Sequence, residues 1–262
     1  MNLEMIDKTA LISGSTKGIG FAIACQLAIE GAHVIVNGRS EKSVTVAIGQ
    51  ILDVMPEARV GGFVGDLSTA QAAEILFERF PAVDILVNNL GIFEPKPFEE
   101  IQDEDWRRFF DVNVLSGARL SRTYVSGMKQ RKWGRIIFIS SESGVQIPVE
   151  MIHYGVTKTA LLGLSRGLAE HCAGTGITVN SILPGPTRSA GVEEFVTKLS
   201  GGQTFEACEK EFFTNVRPSS LIKRFATPAE VASLVTFVCS PVASAITGAA
   251  LRVDGGVVRA CF

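Results

Sequence analysis

The sequence has no run of 18 uncharged apolar residues, and its start, Met1 to Lys8, lacks the basic segment and apolar core of a secretion signal. It also lacks an excess of charge of either sign, because 25 basic and 27 acidic side chains leave a net charge of −2. The chain therefore offers no basic field that would attract nucleic acid. These absences predict a cytoplasmic protein that has neither a membrane nor a nucleic acid as partner.

Cysteine is scarce and shows no pairing pattern. The five cysteines, at positions 25, 172, 208, 239 and 261, are an odd number, and no two of them have C-x-x-C spacing. An odd number suits a reducing compartment, and the missing spacing argues against a zinc site. We expect most of these side chains to be small buried hydrophobes and the protein to hold no metal.

What the sequence does have is a regular alternation of short apolar runs and longer helix-like segments, within a chain of 262 residues that is 46% hydrophobic. This alternation is typical of the α/β class and predicts one domain over 1–262, a Rossmann-type doubly wound parallel sheet with helices on both faces. Seven strands are predicted, near Thr9–Ser13, His33–Asn37, Arg59–Val64, Ile85–Asn88, Arg135–Ser140, Thr178–Leu183 and Ala250–Val253. Helical spacing predicts helices over Ile19–Glu30, Glu41–Val54, Thr69–Phe80, Asp103–Arg131, His153–Cys172 and Pro228–Cys239.

One irregular segment, residues 188–224, follows the sixth predicted strand. It contains Gly201-Gly202, Pro218 and the phenylalanines at 195, 205, 212 and 213. Ligands of doubly wound sheets bind outside the carboxyl ends of the strands, so this segment is a candidate lid over a substrate. The alternative is a surface helical hairpin that buries its phenylalanines.

A glycine-rich turn with the spacing G-x-x-x-G-x-G joins the first predicted strand to the first predicted helix. Glycines let a turn tighten and let the backbone approach a pyrophosphate, while the start of a helix supplies free N–H groups and partial positive charge. The turn therefore predicts a dinucleotide site. Its candidate cofactor-binding residues are Gly14, Ser15, Thr16, Lys17, Gly18, Ile19 and Gly20.

The end of the second predicted strand lacks an acidic residue. A carboxylate there would bind the ribose 2′-hydroxyl of NAD and repel a 2′-phosphate, but Arg39 stands beside the expected position, and Lys17 could reach the same phosphate. Two cations without a carboxylate favour NADP(H) over NAD(H). The alternative is that Arg39 begins a solvated loop with Glu41 as its partner.

Polar residues also follow the third and fourth predicted strands. Asp66 is a candidate acceptor for the adenine amino group, and the Leu67 N–H is a candidate donor to the adenine ring. Asp66 could equally be the N-cap of the next helix. Asn88, Asn89 and Gly91 suit a bend that holds the cofactor ribose and pins neighbouring strands.

Tyr154 and Lys158 are four residues apart on a predicted helix, so both side chains lie on one face. The lysine ammonium beside the phenol favours its ionised form, which a proton shuttle near neutral pH requires. Ser141 precedes Tyr154 by thirteen residues, and Ser140 and Ser143 are alternatives to it. His153 faces about 100° around the helix from Tyr154, which argues against a catalytic role.

Together these features resemble the short-chain dehydrogenase/reductase family over essentially the whole chain, and most closely its 3-oxoacyl-[acyl-carrier-protein] reductases and sugar or polyol dehydrogenases. The resemblance rests on the glycine turn, the Asn-Asn-x-Gly bend and the Tyr154-x-x-x-Lys158 pair, with four further elements in family order: Asn113, Ser141, Pro184-Gly185 and Val253-Asp254-Gly255-Gly256. Two departures are Leu90, where the family usually has alanine, and Ser13, where threonine is common. We expect Leu90 to cause a small local shift near the cofactor ribose and no loss of binding.

The resemblance implies a role for each matching residue. Tyr154 is the general acid in reduction and the base in oxidation, Ser141 hydrogen-bonds the substrate oxygen, and Lys158 lowers the tyrosine pKa and holds the nicotinamide ribose. Asn113 positions a water that relays protons to Lys158. The remaining cofactor contacts fall to Asn89, Gly91, Pro184, Gly185 and Thr187.

The sequence thus predicts an NADPH-dependent reductase that converts a ketone, 3-oxoacyl-like or another small carbonyl, into a secondary alcohol. One alternative is NAD(P)-linked oxidation of a sugar, polyol or other secondary alcohol. A more remote alternative is a dinucleotide-binding regulator without turnover. Because the C-terminal segment resembles the strand through which family members pair, we also expect a homotetramer with dihedral symmetry.

Overall fold

A computed structural model describes residues 2–189 and 204–261 of the chain. Within these residues seven strands form one sheet in the order β3-β2-β1-β4-β5-β6-β7, and every neighbouring pair is parallel. The strands are β1 Thr9–Ile12, β2 His33–Gly38, β3 Val60–Val64, β4 Ile85–Asn88, β5 Gly134–Ile139, β6 Ile177–Pro184 and β7 Ala250–Val253. The predicted fold class and all seven predicted strands are confirmed: β4 and β7 have the predicted ends, and no end of the other strands is off by more than one residue.

Eight α-helices lie in the described part of the chain. They are α1 Gly18–Ile29, α2 Glu41–Val54, α3 Ala70–Arg79, α4 Asp103–Phe110, α5 Ser116–Arg131, α6 Ile152–His171, α7 Phe205–Glu211 and α8 Pro228–Cys239. The predicted cap of α8 is confirmed, since the Thr227 hydroxyl accepts a hydrogen bond from the Glu230 N–H and the Glu230 carboxylate accepts one from the Thr227 N–H. No helix among the described residues is both long and apolar enough to cross a membrane.

The helices cover both faces of the sheet because each face carries its own apolar core. On one face Leu27 of α1 and Val235 of α8 pack with strand residues such as Val34. On the other face Leu120 of α5 and Leu161 of α6 pack with different strand residues. Strands buried on both faces form near-continuous apolar runs, which is why the alternation in the sequence locates them well.

The predicted helix Asp103–Arg131 has a different geometry in its middle. Residues Asp111–Leu115 form a π-helical turn between α4 and α5, and the Ser116 N–H donates to the carbonyl oxygen of Asp111. Periodicity did not indicate this, because one widened turn leaves the apolar spacing on either side nearly intact. Asn113 lies inside the turn.

The candidate lid is described only in part, since Phe195 and Gly201-Gly202 lie outside the described residues. In the part that the structure describes, α7 is followed by a second π-helical turn, Phe212–Val216. Four rings pack together there, with centroids 5.0 to 5.7 Å apart, from Phe205, Phe212, Phe213 and Phe225. Phe213 and Phe225 are buried and the other two rings are partly buried, as the helical-hairpin alternative expects for the phenylalanines of this segment.

Strand order reverses direction between β1 and β4, because the chain runs outward from β1 to β3 and then returns to the other side of β1. Ligands of doubly wound sheets bind in the crevice beyond the carboxyl ends of the strands at such a point. The glycine turn after β1 and the Asn-Asn bend after β4 both lie there.

Candidate active site

A cleft of ≈ 780 Å³ opens beyond the carboxyl ends of β1, β4, β5 and β6. It begins at the glycine turn, passes the residues that follow β4 and β5, and ends beside the chain after β6. The cleft brings together most of the predicted site residues, namely Gly14, Lys17, Gly18, Ile19, Gly20, Arg39, Asn89, Gly91, Ser141, Tyr154, Lys158, Pro184, Gly185 and Thr187.

The glycine turn forms a cradle that side chains would fill. Gly14 has φ +61°, a left-handed conformation that favours glycine. A Cβ on Gly20 would lie 2.4 Å from Asn89 Nδ2 and 2.6 Å from the Gly14 carbonyl oxygen. The N-cap of α1 is Lys17, whose side chain makes no capping hydrogen bond, so the first N–H groups of the helix are available to an anion. These features fit the pyrophosphate of a dinucleotide.

Ser15 and Thr16, both predicted as cofactor-binding residues, face inward from this turn. Ser15 is buried, and its hydroxyl donates to the Ile12 carbonyl oxygen at 2.7 Å and accepts from the Asn37 N–H at 2.9 Å. The Thr16 methyl group packs against Gly38. Their side chains therefore stabilise the turn.

Lys17 and Arg39 are the two cations at the mouth of the cleft, and both are exposed. Arg39 directly follows β2, so its guanidinium lies at the edge where the adenosine ribose of a dinucleotide binds in doubly wound folds. The carboxylate expected for NAD recognition is absent from this strand end, as the sequence Asn37-Gly38-Arg39 shows.

Asp66 and Leu67 follow β3. The Asp66 carboxylate accepts hydrogen bonds from the Ser68 N–H at 3.0 Å and the Ser68 hydroxyl at 2.7 Å. The alternative interpretation of Asp66 as an N-cap is wrong, because α3 begins at Ala70 and its cap is Thr69, whose hydroxyl accepts from the Ala72 N–H. The Leu67 side chain is buried in the core.

The Asn-Asn bend after β4 ties two strands together, as predicted. Asn89 Nδ2 donates to the carbonyl oxygens of Ser13 and Gly14 at 2.9 and 3.0 Å, and the Asn89 and Leu90 N–H groups both donate to the Ser13 hydroxyl at 3.0 Å. Asn88 Nδ2 donates to the Ser121 hydroxyl on α5. Leu90 packs against Gly14, where its Cδ1 lies 3.3 Å from the position of a Cβ.

Tyr154 and Lys158 lie in the first two turns of α6, with the lysine Nζ 5.5 Å from the centroid of the tyrosine ring. Lys158 Nζ donates to the carbonyl oxygen of Ile139 at 2.9 Å, and burial lowers the pKa of this amine to about 8. Burial raises the pKa of Tyr154, and the negative charge of Glu142 raises it further. The expected lowering of the Tyr154 pKa is therefore not found in this structure, because burial and the charge of Glu142 outweigh the hydrogen bond with Ser141 and the charge of Arg217, which lower it.

The three serines after β5 have distinct partners. The Ser140 hydroxyl donates to the Lys158 carbonyl oxygen at 2.8 Å and so anchors α6 to the sheet. The Ser141 hydroxyl donates to the Glu142 carboxylate, accepts from the Ser143 N–H at 3.1 Å and lies within hydrogen-bonding reach of the Tyr154 hydroxyl. The Ser143 hydroxyl also donates to Glu142. This geometry favours Ser141 over the two alternatives as the serine that acts with Tyr154.

Asn113 lies behind Lys158, and both protons of its amide and one lone pair of its Oδ1 have partners. Its Oδ1 accepts from the Ile92 N–H at 2.8 Å, and its Nδ2 donates to the Ile92 carbonyl oxygen and to the Thr157 hydroxyl, each at 3.0 Å. The Lys158 ammonium and the Asn113 amide both border Gly91, where a Cβ would meet them at 3.4 and 3.5 Å. The π-helical turn thus places Asn113 between the Gly91 segment and α6.

The chain after β6 closes the far end of the cleft. Gly185 packs so tightly on the Asp254 carbonyl oxygen that a Cβ would lie 2.5 Å from it. The Thr187 hydroxyl donates to the Gly185 carbonyl oxygen at 2.9 Å. Pro184 ends β6, so these three predicted residues form one continuous wall.

Sequence reasoning missed two charged residues that border the reacting groups, Glu142 and Arg217. Arg217 Nε lies 3.3 Å from Glu142 Oε1, and one of its terminal nitrogens lies 3.0 Å from Glu150 Oε1. A usable signal was the acidic residue directly after Ser141, in a segment whose neighbours are small or apolar. His153, by contrast, packs against Phe109 with a centroid distance of 4.1 Å, as a buried ring.

Comparison with known proteins gives matches over nearly the whole chain. A family model described as enoyl-(acyl carrier protein) reductase matches residues 14–258. The chain is 48% identical over 264 residues to the uncharacterized oxidoreductase YvaG of Bacillus subtilis (strain 168), with 100% of each covered. It is 32% identical to the 3-oxoacyl-[acyl-carrier-protein] reductase FabG of Aquifex aeolicus (strain VF5), over 98% of this chain and 100% of the relative. The crystal structure of L-sorbose reductase from Gluconobacter frateurii, complexed with NADPH and L-sorbose, matches with a TM-score of 0.92 at 32% identity, covering 99% of this chain and 100% of the other.

Proposed function

This chain belongs to the short-chain dehydrogenase/reductase family, as an oxidoreductase that acts on CH–OH groups and binds a nicotinamide dinucleotide, and we propose that it is an NADP(H)-dependent reductase of a ketone. The observation that carries the proposal is the convergence of Tyr154, Ser141 and Lys158 at the base of a cleft that starts at the glycine turn. A hydroxyl that can give a proton, a second hydroxyl beside it and a buried cation are what reduction of a carbonyl requires of the protein.

Each of these residues has one task in the proposed reaction. Tyr154 donates the proton that converts the carbonyl oxygen into a hydroxyl, and Ser141 holds that oxygen in line with the phenol. Lys158 stabilises the phenolate that Tyr154 becomes, and Asn113 keeps the wall behind Lys158 in place through Ile92. The bound dinucleotide supplies the hydride. Orientation inside the cleft accounts for much of the rate.

The preference for NADP(H) over NAD(H) rests on Arg39 and Lys17 at the mouth of the cleft and on the missing carboxylate after β2. A 2′-phosphate would meet two cations and no opposing charge there. The L-sorbose reductase structure that this fold matches holds NADPH, which supports the same preference. Gly14 through Gly20 would hold the pyrophosphate, and Asn89, Gly91, Pro184, Gly185 and Thr187 the nicotinamide half.

The walls around Tyr154 support an uncharged substrate with an apolar part. Phe93 lies 6.4 Å from the Tyr154 ring between centroids, and Met151 and Phe212 border the same space. A 3-oxoacyl-like substrate or another small ketone fits these walls. The second candidate, a sugar or polyol, is favoured by Glu150 and Arg217, whose polar groups also line the cleft and can bind hydroxyls.

The test is oxidation of NADPH by the purified protein in the presence of acetoacetyl thioesters, small diketones, ketoses and aromatic ketones, with polyols and NADP⁺ in the reverse direction. Turnover with one class identifies the substrate. NADPH binding without turnover in either direction would support a non-catalytic regulator and overturn the proposal.

We also propose a homotetramer in which the outermost strand, β7, pairs with a second copy. Among the described residues β7 has a strand partner on one side only, since the sheet ends with it. A free strand edge needs cover, and self-pairing provides it. Light scattering should give four times the 28.0 kDa of one chain; a mass of one chain at micromolar concentration would contradict the arrangement.

We further propose that the described part of residues 188–224 covers the substrate within the single domain.

A further inference from the structure

Glu142 carries a buried negative charge directly beside the residues that react. Its carboxylate Oε2 accepts hydrogen bonds from the Ser141 hydroxyl, from the Ser143 N–H at 2.8 Å and from the Ser143 hydroxyl at 3.1 Å. Its other oxygen, Oε1, meets Arg217 Nε at 3.3 Å. Only 5% of the residue is exposed.

Four donors around one carboxylate indicate that the site is arranged for an ionised acid. An ionised carboxylate offers about four acceptor positions, and burying it without partners is strongly unfavourable. Arg217 supplies the opposite charge, and its side chain is itself only 11% exposed. The pair joins the segment after β5 to the segment after the second π-helical turn, 75 residues away.

This arrangement decides which way the hydroxyl of Ser141 points. A serine hydroxyl has one proton and two lone pairs. The proton is directed to Glu142, from which it turns to the carbonyl oxygen when a substrate binds, and one lone pair accepts from the Ser143 N–H. The second lone pair is left for a donor in the cleft, which Ser141 and Tyr154 both line.

We propose that Glu142 is a positioning residue, which orients the Ser141 hydroxyl and, balanced by Arg217, sets the charge that Tyr154 meets when it transfers its proton. The inference rests on the proposed function, because it assigns the pair to the proton-transfer step. Glu142 and Arg217 act on that step in opposite senses: the carboxylate disfavours a phenolate, and the guanidinium favours it. Removal of either charge should therefore shift the titration of Tyr154, and the two shifts should have opposite signs.

Other charges around this pair are few in the described residues. Lys158 faces Tyr154 from the next turn of α6, and Glu150 reaches Arg217 from the short helical turn before α6. The Glu150 side chain is 39% exposed and contacts the outer side of Arg217. Water screens such a charge, so Glu150→Gln is a matched control that removes a carboxylate from the same arginine and leaves Ser141 untouched.

The test begins with a direct titration that needs no turnover. The chain has two tyrosines, so in a Tyr124→Phe background the ultraviolet difference absorbance of tyrosinate reports Tyr154 alone. We expect Glu142→Gln to move this titration to lower pH and Arg217→Gln to move it to higher pH, with Glu150→Gln close to the parent protein. Shifts of both variants in the same direction, or no shift in either, would overturn the inference.

The pH profile of kcat/KM provides the second measurement. Glu142→Gln should shift the profile toward acid and lower its maximum about 10-fold, which is the loss expected for one charge-assisted hydrogen bond. Arg217→Gln should shift the profile toward base, and Arg217→Lys should restore its position. If Glu142→Gln does not fold, the comparison of Arg217→Gln with Arg217→Lys decides the question alone, since a purely structural arginine would give two profiles at the position of the parent.

These outcomes separate the inference from the function on which it rests. The parent protein could reduce a carbonyl and Tyr154→Phe fail to do so, while the Glu142 and Arg217 variants keep the parental titration and pH profile. That result would rule out the positioning role of Glu142 and would leave the proposed reductase activity intact. If the parent protein binds NADPH and shows no turnover in either direction, the reductase falls. The tyrosinate titration would then still test whether the charges of Glu142 and Arg217 shift the titration of Tyr154 in opposite directions.

Discussion

The side chain of Asn37 holds the main chain of Gly14, with Oδ1 accepting a hydrogen bond from the Gly14 N–H at 2.9 Å. The same amide donates to the carbonyl oxygens of Phe63 and Gly65 at 3.3 and 3.1 Å. Asn37 lies at the end of β2 and is buried. One side chain thus fixes the ends of β1, β2 and β3 relative to one another and sets the shape of the glycine turn.

Replacement of Asn37 should affect both stability and cofactor binding. Asn37→Ala leaves two carbonyl oxygens and the Gly14 N–H without their partner, so we expect the free energy of unfolding to fall by about 2 kcal/mol and NADPH binding to weaken. Urea denaturation and calorimetric titration measure the two effects. Gln50→Ala, which removes an exposed amide from α2, is the control. If both quantities stay at their parental values, Asn37 does not hold the turn.

Arg39 should distinguish the two dinucleotides. Because its guanidinium is proposed to bind a 2′-phosphate, Arg39→Ala should weaken NADPH binding about 10-fold and leave NADH binding unchanged. Dissociation constants from fluorescence titration of both reduced dinucleotides provide the measurement. Arg122→Ala, on an exposed position of α5, controls for the loss of a positive charge. Equal weakening with NADPH and NADH, or tighter binding of NADH by the parent protein, would contradict the assignment.

The affinity for the cofactor should depend on pH because of the buried amine of Lys158. Burial lowers the pKa of its amine to about 8, so the ammonium is present below that pH and is lost as the pH rises through it. If the ammonium binds the nicotinamide ribose, NADPH affinity should be highest below about pH 8 and decline above it. In Lys158→Met the affinity should be lower and lack this decline. A parental pH dependence that persists in Lys158→Met would assign the titration to another group.

The sequence was sufficient to predict those parts of the molecule that depend on local pattern. β4 and α2 were predicted with their observed ends, because continuous apolar runs and helical spacing are read within a few residues. Tyr154 and Lys158 could be paired for the same reason, since four residues of helix place them on one face. The glycine turn was located by its position between β1 and α1.

What the sequence could not predict depends on contacts across the chain. Glu142 and Arg217 are 75 residues apart, and no periodicity relates them. Asn37 was noted only as part of a strand end, because its partners lie on β3 and in the glycine turn. The pKa of Tyr154 was expected to fall next to Lys158, yet burial and the charge of Glu142 raise it. Desolvation follows from packing, and a spacing motif carries no information about it.

The most direct test of the central claim is a comparison of the parent protein with Tyr154→Phe at saturating NADPH and a substrate found active in the carbonyl panel. The change removes one hydroxyl and keeps the ring that packs on Phe93, so NADPH affinity should stay within about twofold while kcat falls by about 10² to 10⁴-fold. A Tyr154→Phe protein that retains a rate close to that of the parent would show that this tyrosine does not transfer the proton, and the proposed mechanism would be wrong.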